Sequence, residues 1–341
     1  MRKYFGTDGI RGIALEKLNS ELAFKLGQAI AVVFSPKEVV IGMDTRESSP
    51  LLAYAIAHGL NARGVDVIFS GVVSTPMIAN YSKVHEMIGV MITASHNPFT
   101  DNGIKVFNKG YKTLDEDELK LEAFIDHGTL SNHTYGKFKY STDIEEAYLK
   151  IYEPLNLKQS NFNVIFDSAH GANYEISKKL ISKVSKSYYQ IGNRPDGKNI
   201  NLDCGSTHIE SLQEKIKLSS YDIGFSFDGD GDRIIAVDAE GNIYDGDLII
   251  YIISKYLKQN GLLNKDTVVL TKMSNPGLLK ALKDQGISYE LTDIGDKYVF
   301  KALEDNDYTI GGESSGHVIL RHLLHSGDGL LVAIYLIKIL D

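Results

Sequence analysis

Along residues 20–34 the apolar side chains Leu22, Leu26, Ile30 and Val33 recur at the spacing of one helical face, and Ser20 and Glu21 read as an N-cap and an acidic first turn. The short apolar run 39–43 predicts a strand, residues 51–60 a helix that ends near Gly59 and Gly64, and residues 65–69 a second strand. Residues 88–92 form an unbroken apolar run that reads as a buried strand, stopped by the turn formers Asn97 and Pro98. Strands alternating with helices predict an α/β layer architecture.

The same order recurs twice. A strand at 163–167 is followed by a helix at 174–184, and a strand at 267–271 by a helix at 276–283. Each repeat then reaches a strand containing Ile-Gly, at Ile88-Gly89, Ile223-Gly224 and Ile310-Gly311. After each of these comes an unusually polar loop, at residues 93–98, 228–233 and 313–317. Recurrence at one position in three segments predicts three related α/β domains, each a mixed sheet between helices, around a central cleft where the loops meet. Pro154, after a helix at 144–152, and Asp245, after a hairpin turn at 239–242, suggest the divisions 1–153, 154–244 and 245–341. No low-complexity linker separates them, so packed interfaces are expected.

A chain of 341 residues exceeds one ordinary core, and its 43% hydrophobic and 23% charged residues are those of a globular protein. A formal net charge of -8 with no basic stripe argues against a nucleic-acid partner, and leaves an anionic small molecule in need of local cations. Cys204 is the single cysteine, which excludes a disulfide framework or thiolate zinc site and fits a reducing cytoplasm. The first residues lack a signal-peptide pattern, and the longest apolar run, 330–337, is far short of the roughly 20 residues of a membrane span. A soluble cytoplasmic protein with no membrane partner is the expectation.

Within the loops, Asp228-Gly229-Asp230-Gly231-Asp232-Arg233 is the strongest signal. Carboxylates at alternate positions past an apolar strand point the same way if the chain stays extended, and would repel strongly without a hard divalent cation among them. An acidic solvated turn is the bland alternative. A calcium loop of the EF-hand kind fails, because Arg233 stands where Gly is needed and Ala239 where Glu is needed. A phosphatase of the haloacid dehalogenase kind, with Asp228 as nucleophile, stays open. Ser95, held on a stiff turn at the exposed mouth of a strand, reads as a nucleophile or phosphoryl donor, or simply as a capping turn serine.

The remaining signals are individually weaker. Arg11 among Gly6, Gly9 and Gly12 suits an anion or a plain surface loop. Asn102-Gly103 reads as a tight hairpin that returns Lys105 towards Ser95, where a lysine could bind phosphate as a point charge or shuttle a proton. Glu313, Ser314, Ser315 and His317 offer a carboxylate, hydroxyls and an imidazole suited to polyol hydroxyls, or to ordinary loop chemistry. His170, His322 and His325 read as structural, while Arg46 and Lys297 could add positive charge near the site.

Together the opening segment 3–12, the serine loop, the aspartate loop and the loop 312–317 resemble, in order and over nearly the whole chain, the α-D-phosphohexomutase family. The opening and residues 295–299 are most similar to its branch that acts on glucosamine phosphates. The resemblance implies reversible conversion of glucosamine 6-phosphate and glucosamine 1-phosphate through a sugar 1,6-bisphosphate, with Ser95 carrying the resting phosphoryl group. It implies Mg²⁺ held by Asp228, Asp230, Asp232 and a phosphoserine oxygen, with Arg233 beside them. It further implies charge and proton handling by Arg11 and Lys105, support of the serine loop by His96, and sugar recognition by Glu313, Ser315 and His317. A homodimer is implied by the resemblance alone.

Two departures stand out. Ser314 matches neither the Gln usual in the glucosamine branch nor the Met usual in the mannose and glucose branch, which keeps those sugars open. No Arg-x-Ser-Gly-Thr pattern of the family's fourth, phosphate-gripping domain occurs, so weakened substrate affinity and turnover are expected. Three classes therefore stand side by side: a hexosamine-phosphate mutase, a phosphatase using Asp228, and a non-catalytic module that binds metal, sugar phosphate or its own copies.

Overall fold

The computed structural model describes residues 2–6, 8–130 and 134–341. Its first sheet contains β1 (Phe5–Gly6), β2 (Gly9–Ile13), β3 (Glu38–Met43), β4 (Asp66–Val72), β5 (Ile88–Ile92), β6 (Asp101–Asn108), β7 (Tyr111–Lys112) and β8 (Phe138–Tyr140). A second sheet contains β9 (Asn163–Asp167), β10 (Ser187–Ile191), β11 (Ile223–Phe227), β12 (Ile234–Asp238) and β13 (Ile243–Tyr244). The third contains β14 (Thr267–Thr271), β15 (Ser288–Thr292), β16 (Ile310–Gly312) and β17 (Val318–Leu320). Between them run α1 (Ser20–Phe34), α2 (Ser49–Asn61), α3 (Thr75–Val84), α4 (Asp115–His127), α5 (Asp143–Leu149), α6 (Tyr174–Val184), α7 (Glu210–Lys217), α8 (Gly246–Gln259), α9 (Pro276–Asp284), α10 (Asp296–Asn306) and α11 (Gly329–Leu340).

The repeat expected from the sequence is present as topology. In each sheet the first strand of the repeat lies centrally, with the next two parallel to it on either side and a fourth, antiparallel strand beyond the third. The neighbour orders are β4-β3-β5-β6, β10-β9-β11-β12 and β15-β14-β16-β17. The three polar loops are the returns from third to fourth strand, at the carboxyl ends of β5, β11 and β16. In open α/β sheets that edge, where strand order reverses, is where ligands bind.

The chain gathers into two compact units, Met1–Lys150 with Pro195–Ile200, and Ile151–Arg194 with Asn201–Asp341. In the first, Leu26 and Ile30 of α1 and Leu52 and Ile56 of α2 bury their apolar face with Val39, Ile41 and Val90 of the sheet. The second unit holds two sheets, and α11, buried from Gly329 to Ile337, packs on α6 and β12 and also on α8 and β17. A helix apolar all round has to be enclosed, which accounts for the long apolar run at 330–337. Among the described residues no helix is long and apolar enough to cross a membrane.

Local differences from the sequence reading have physical causes. The N-cap of α1 is Asn19, whose side-chain oxygen accepts from Leu22 N at 3.0 Å, one residue before the expected Ser20. α2 starts at Ser49, with Pro50 fitting its first turn. Asn102 and Gly103 do not turn the chain: both lie within β6, and the reversal occurs upstream, where Asp101 N donates to Pro98 O at 3.1 Å. Gly103 is needed for close approach instead, since a Cβ there would meet Thr93 O at 2.4 Å.

The N-terminal hairpin is tied to α4 through Arg2 to Asp115 and Glu118, Lys3 and Tyr4 to Asp126, and, at its backbone, Glu122. Glu122 accepts from Lys3 N at 2.8 Å, Tyr4 N at 2.6 Å and Phe5 N at 2.8 Å. Burial opposes its charge, but those amides and Arg2 lower its pKa below the usual carboxylate value. The stabilisation is therefore complete above the unfolded value of about 4.3 and is lost as pH falls through the lower folded value. Glu122→Gln should cost about 1–2 kcal/mol at pH 7 and speed amide exchange across residues 5–13. In urea titrations from pH 7 to pH 3 the wild type should fall towards the variant as the carboxylate protonates.

Candidate active site

In the first unit the Ser95 loop leaves β5 beneath the strand that pairs with it. Thr93 N donates to Gly103 O at 2.9 Å, Ser95 N to Thr93 Oγ1 at 2.9 Å, and Asn97 N to Ala94 O at 3.1 Å. These bonds wind the backbone tightly and place Ser95 at φ 53°. A residue with a Cβ takes that left-handed conformation at a cost of about 1–2 kcal/mol, a strain that concentrates at functional sites. The sequence places the serine at an exposed mouth; in the structure it is only 1% exposed, because the turn folds back over it. Its Oγ lies 3.4 Å from His96 Nδ1.

Cations gather around the same loop. Register pairs Arg11 of β2 with Gly103 of β6, and Lys105 lies two residues further along the same face of β6. Gly103 leaves room there for Arg11, whose Cγ would lie 3.2 Å from a Cβ at that position. Asp8 binds Arg11 and Lys112, and its Oδ2 is 3.3 Å from Lys105 Nζ, so three cations meet at one carboxylate. Lys105 is 1% exposed, and Arg11 reaches on to Asn97 Oδ1 at 3.4 Å. Such a grouping favours an anion, and phosphate geometry suits its mixture of fork and point-charge donors.

Arg46 has a different job from the one its charge suggested. It is 1% exposed, pairs through Nε with Asp44 Oδ2 at 2.8 Å, and spends its remaining donors on backbone carbonyls of the Ser95 loop. Asp44 and Arg46 follow β3, the central strand, so they stand beside the loop that follows β5.

In the second unit the aspartate loop also turns rather than staying extended. Gly231 N donates to Asp228 O at 3.1 Å, and Gly231 has φ 77°, a conformation open to glycine. This turn, not strand alternation, brings one oxygen from each of Asp228, Asp230 and Asp232 within 4.8 Å of the others. All three are buried, and such a set of oxygens could hold a metal ion. Burial opposes the Arg233 charge, yet Asp232, Asp228, Asp230 and Glu313 outweigh it and hold the guanidinium above its ordinary pKa. That field is the electrostatic signature of carboxylates packed together.

The loop after β16 is built against this cluster. His317, 4% exposed, has Nδ1 at 3.7 Å from Asp232 Oδ2 and Nε2 at 3.5 Å from Asp296 Oδ2. Gly316 O accepts from Ile234 N at 3.1 Å, and Glu313 Oε1 from Gly295 N at 3.1 Å. The second unit thus groups Asp228, Asp230, Asp232, Arg233, Glu313 and His317, while Ser315 lies exposed on the same loop. His170 Nδ1 accepts from Arg194 N at 3.1 Å.

Several residues escaped the sequence reading. Asp8, Lys112 and Asp296 act through partners distant in the chain, which spacing does not reveal, and Asp44 acts on the nearby Arg46, whose own role depends on the distant Ser95 loop. Asp167, at the end of β9, accepts from Ala169 N at 2.9 Å and Gly205 N at 2.8 Å, although burial pushes its carboxyl pKa up. The carboxyl end of the first strand in the first two repeats is the signal that could have singled out Asp44 and Asp167.

Three family models match the chain in order: phosphoglucomutase/phosphomannomutase alpha/beta/alpha domain I over residues 2–132, domain II over 139–241 and domain III over 245–341. The chain is 42% identical over 360 residues to the phosphoglucosamine mutase of Bacillus cereus, covering 100% of this chain and 79% of that protein. It is 41% identical over 355 residues to the phosphoglucosamine mutase of Caldicellulosiruptor bescii, with the same coverage of 100% and 79%. The fold is similar to that of a phosphoglucomutase/phosphomannomutase family protein from Burkholderia thailandensis, with TM-score 0.85, 24% identity and coverage of 100% and 77%. It is also similar to Aspergillus fumigatus N-acetylphosphoglucosamine mutase, a structure containing GlcNAc-6P and magnesium, with TM-score 0.66, 15% identity and coverage of 100% and 77%. Matched domain by domain, and at this identity along its whole length, the chain belongs to the phosphoglucomutase/phosphomannomutase family of α-D-phosphohexomutases.

Proposed function

We propose that the chain interconverts glucosamine 6-phosphate and glucosamine 1-phosphate, with phospho-Ser95 as donor and glucosamine 1,6-bisphosphate as intermediate. The observation that carries this reading is the buried trio Asp228, Asp230 and Asp232, with oxygens within 4.8 Å of one another. Identity of 42% to a phosphoglucosamine mutase supports the amino sugar over mannose or glucose. The three carboxylates fit Mg²⁺, a hard cation that takes oxygen ligands. When bound there with a phosphoserine oxygen, it would neutralise charge as the phosphoryl group moves.

The chain's own residues supply the rest. The P–O bond to Ser95 Oγ breaks as a bond forms to the free sugar hydroxyl, which loses its proton. Turning the bisphosphate over and transferring its other phosphoryl group back to Ser95 yields the isomeric monophosphate. Arg11 and Lys105, already gathered at Asp8, hold the phosphoryl oxygens, with Lys105 in its neutral form taking the proton the hydroxyl loses, and His96 steadies the turn. Glu313, Ser315 and His317 bind sugar hydroxyls, with Arg233 beside the metal loop. The formal charge of -8 speaks against a nucleic-acid partner, and a homodimer working in the cytoplasm belongs to the same reading.

Two measurements test it. With glucosamine 6-phosphate, Mg²⁺ and catalytic bisphosphate, the chain should form glucosamine 1-phosphate faster than it isomerises mannose or glucose 6-phosphate. Peptide mass spectrometry should find phosphate on Ser95; phosphate on Asp228 with sugar phosphate hydrolysis would support a phosphatase instead.

Asp230→Asn should weaken Mn²⁺ or Mg²⁺ binding by more than the roughly 10–100-fold typical of residues behind the ligands. In EDTA the same variant should be more stable than wild type, since one of three crowded negative charges is gone. At a Mg²⁺ concentration 100 times the wild-type Kd, the wild type should gain about 2.7 kcal/mol and the variant much less. Calorimetric titration and thermal melts with and without metal read both effects.

A further inference from the structure

The Ser95 turn draws its shape from a buried cation that reaches no solvent. Arg46 Nη2 donates to Ser95 O at 2.9 Å and to Asn97 O at 2.9 Å, while Nη1 donates to Asp101 O at 3.1 Å and to Pro98 O. Asp44 holds the other side of the guanidinium: Oδ2 accepts from Arg46 Nε at 2.8 Å, and Oδ1 from Arg46 N at 3.1 Å and Ser49 Oγ at 2.7 Å. Side-chain exposure of the Arg46–Asp44 pair is 0% on both partners. An arginine that bound a substrate anion would turn its fork towards the ligand; this one aims it at four carbonyls of a single turn.

Carbonyls that converge from a turn repel one another unless a donor sits between them. Residues 95–101 return the chain from β5 to β6 in very few residues, and Ser95 takes φ 53° to do so. Only a planar group with donors fanned in one plane can satisfy that arc while pairing with a carboxylate behind it. A lysine ammonium carries the charge but lacks the fan.

We propose that Arg46, oriented by Asp44, is a positioning residue that holds Ser95 in its left-handed conformation and so fixes the direction in which its oxygen carries the phosphoryl group. This rests on the reading of Ser95 as phosphoryl carrier, and extends it to a residue that touches neither sugar nor metal loop. In-line transfer is steep in geometry, and a displacement of about 1 Å costs on the order of 10²-fold in rate.

The test uses the full chain with Arg46→Lys, Arg46→Met, Asp44→Asn and the double variant Asp44→Asn/Arg46→Met. Labelling of Ser95 from ³²P-glucosamine 1,6-bisphosphate gives the transfer rate, steady-state kinetics separate kcat from KM, and Mn²⁺ titration and circular dichroism report metal affinity and folding. Arg46→Lys and Arg46→Met should fold, bind Mn²⁺ like the wild type, keep KM within about threefold and label roughly 10²-fold more slowly. The double variant should label no more slowly than Arg46→Met, because Asp44 acts through the arginine.

Labelling at the wild-type rate by the folded fraction of these variants, with only the melting temperature lowered, would overturn the inference. Losses that multiply in the double variant would equally overturn the role given to Asp44. Should Arg46→Met not fold, Arg46→Lys and Asp44→Asn decide by the same readouts. A wild type that takes no label on Ser95 would sink the mutase reading, and this inference with it.

Discussion

A parallel strand that must turn straight into an antiparallel neighbour leaves its last backbone groups and first turn residues at the carboxyl edge of the sheet. Three sheets of this chain impose that same return, after β5, β11 and β16. Each return is too short for regular structure, so its shape is set by special φ angles, glycines and a few borrowed hydrogen bonds. Ser95 at φ 53°, Gly231 at φ 77° and Gly316 at φ 92° are the outcomes in the three loops. The candidate site residues sit where the fold has the least freedom, and that is why they are held so firmly.

The two units solve opposite electrostatic problems. Around Ser95, cations of β2, β6 and β7 are brought together by sheet register and tied through Asp8, an arrangement that invites phosphate. Around Asp228, carboxylates are forced together by a turn and relieved in part by Arg233, an arrangement that invites a divalent cation. Either cluster costs free energy to assemble, because like charges are drawn out of water towards one another. On the serine side Arg46 and Asp44 hold the turn through bonds to its backbone, and on the aspartate side the Gly231 turn holds the carboxylates together.

Burial explains which residues the sequence hid. Arg46 and Lys105 are both 1% exposed, yet one is consumed by carbonyls and the other faces Asp8 in the cation cluster. Positive charge alone does not distinguish them. The difference lies in strand position: Arg46 follows the central strand and lies beside the turn, whereas Lys105 sits within β6 and faces the same side as Gly103. His317 is similar, since its contacts to Asp232 and Asp296 join loops more than 80 and about 20 residues away along the chain.

By itself the sequence determined the α/β alternation, the three repeats and the identity of the chemically distinctive loops, because side-chain periodicity and turn chemistry act over a few residues. It singled out Ser95, the three aspartates, Glu313 and His317 as candidates, and it placed the helix at 174–184 to the residue. Tertiary structure decided that Ser95 is buried rather than exposed, that Asn102-Gly103 belongs to a strand, and that a turn brings the aspartates together. It also decided that Arg46 supports the serine instead of meeting a ligand. Each of those outcomes depends on which backbone groups from distant strands occupy the same few ångströms, a quantity that register and burial settle and local spacing does not.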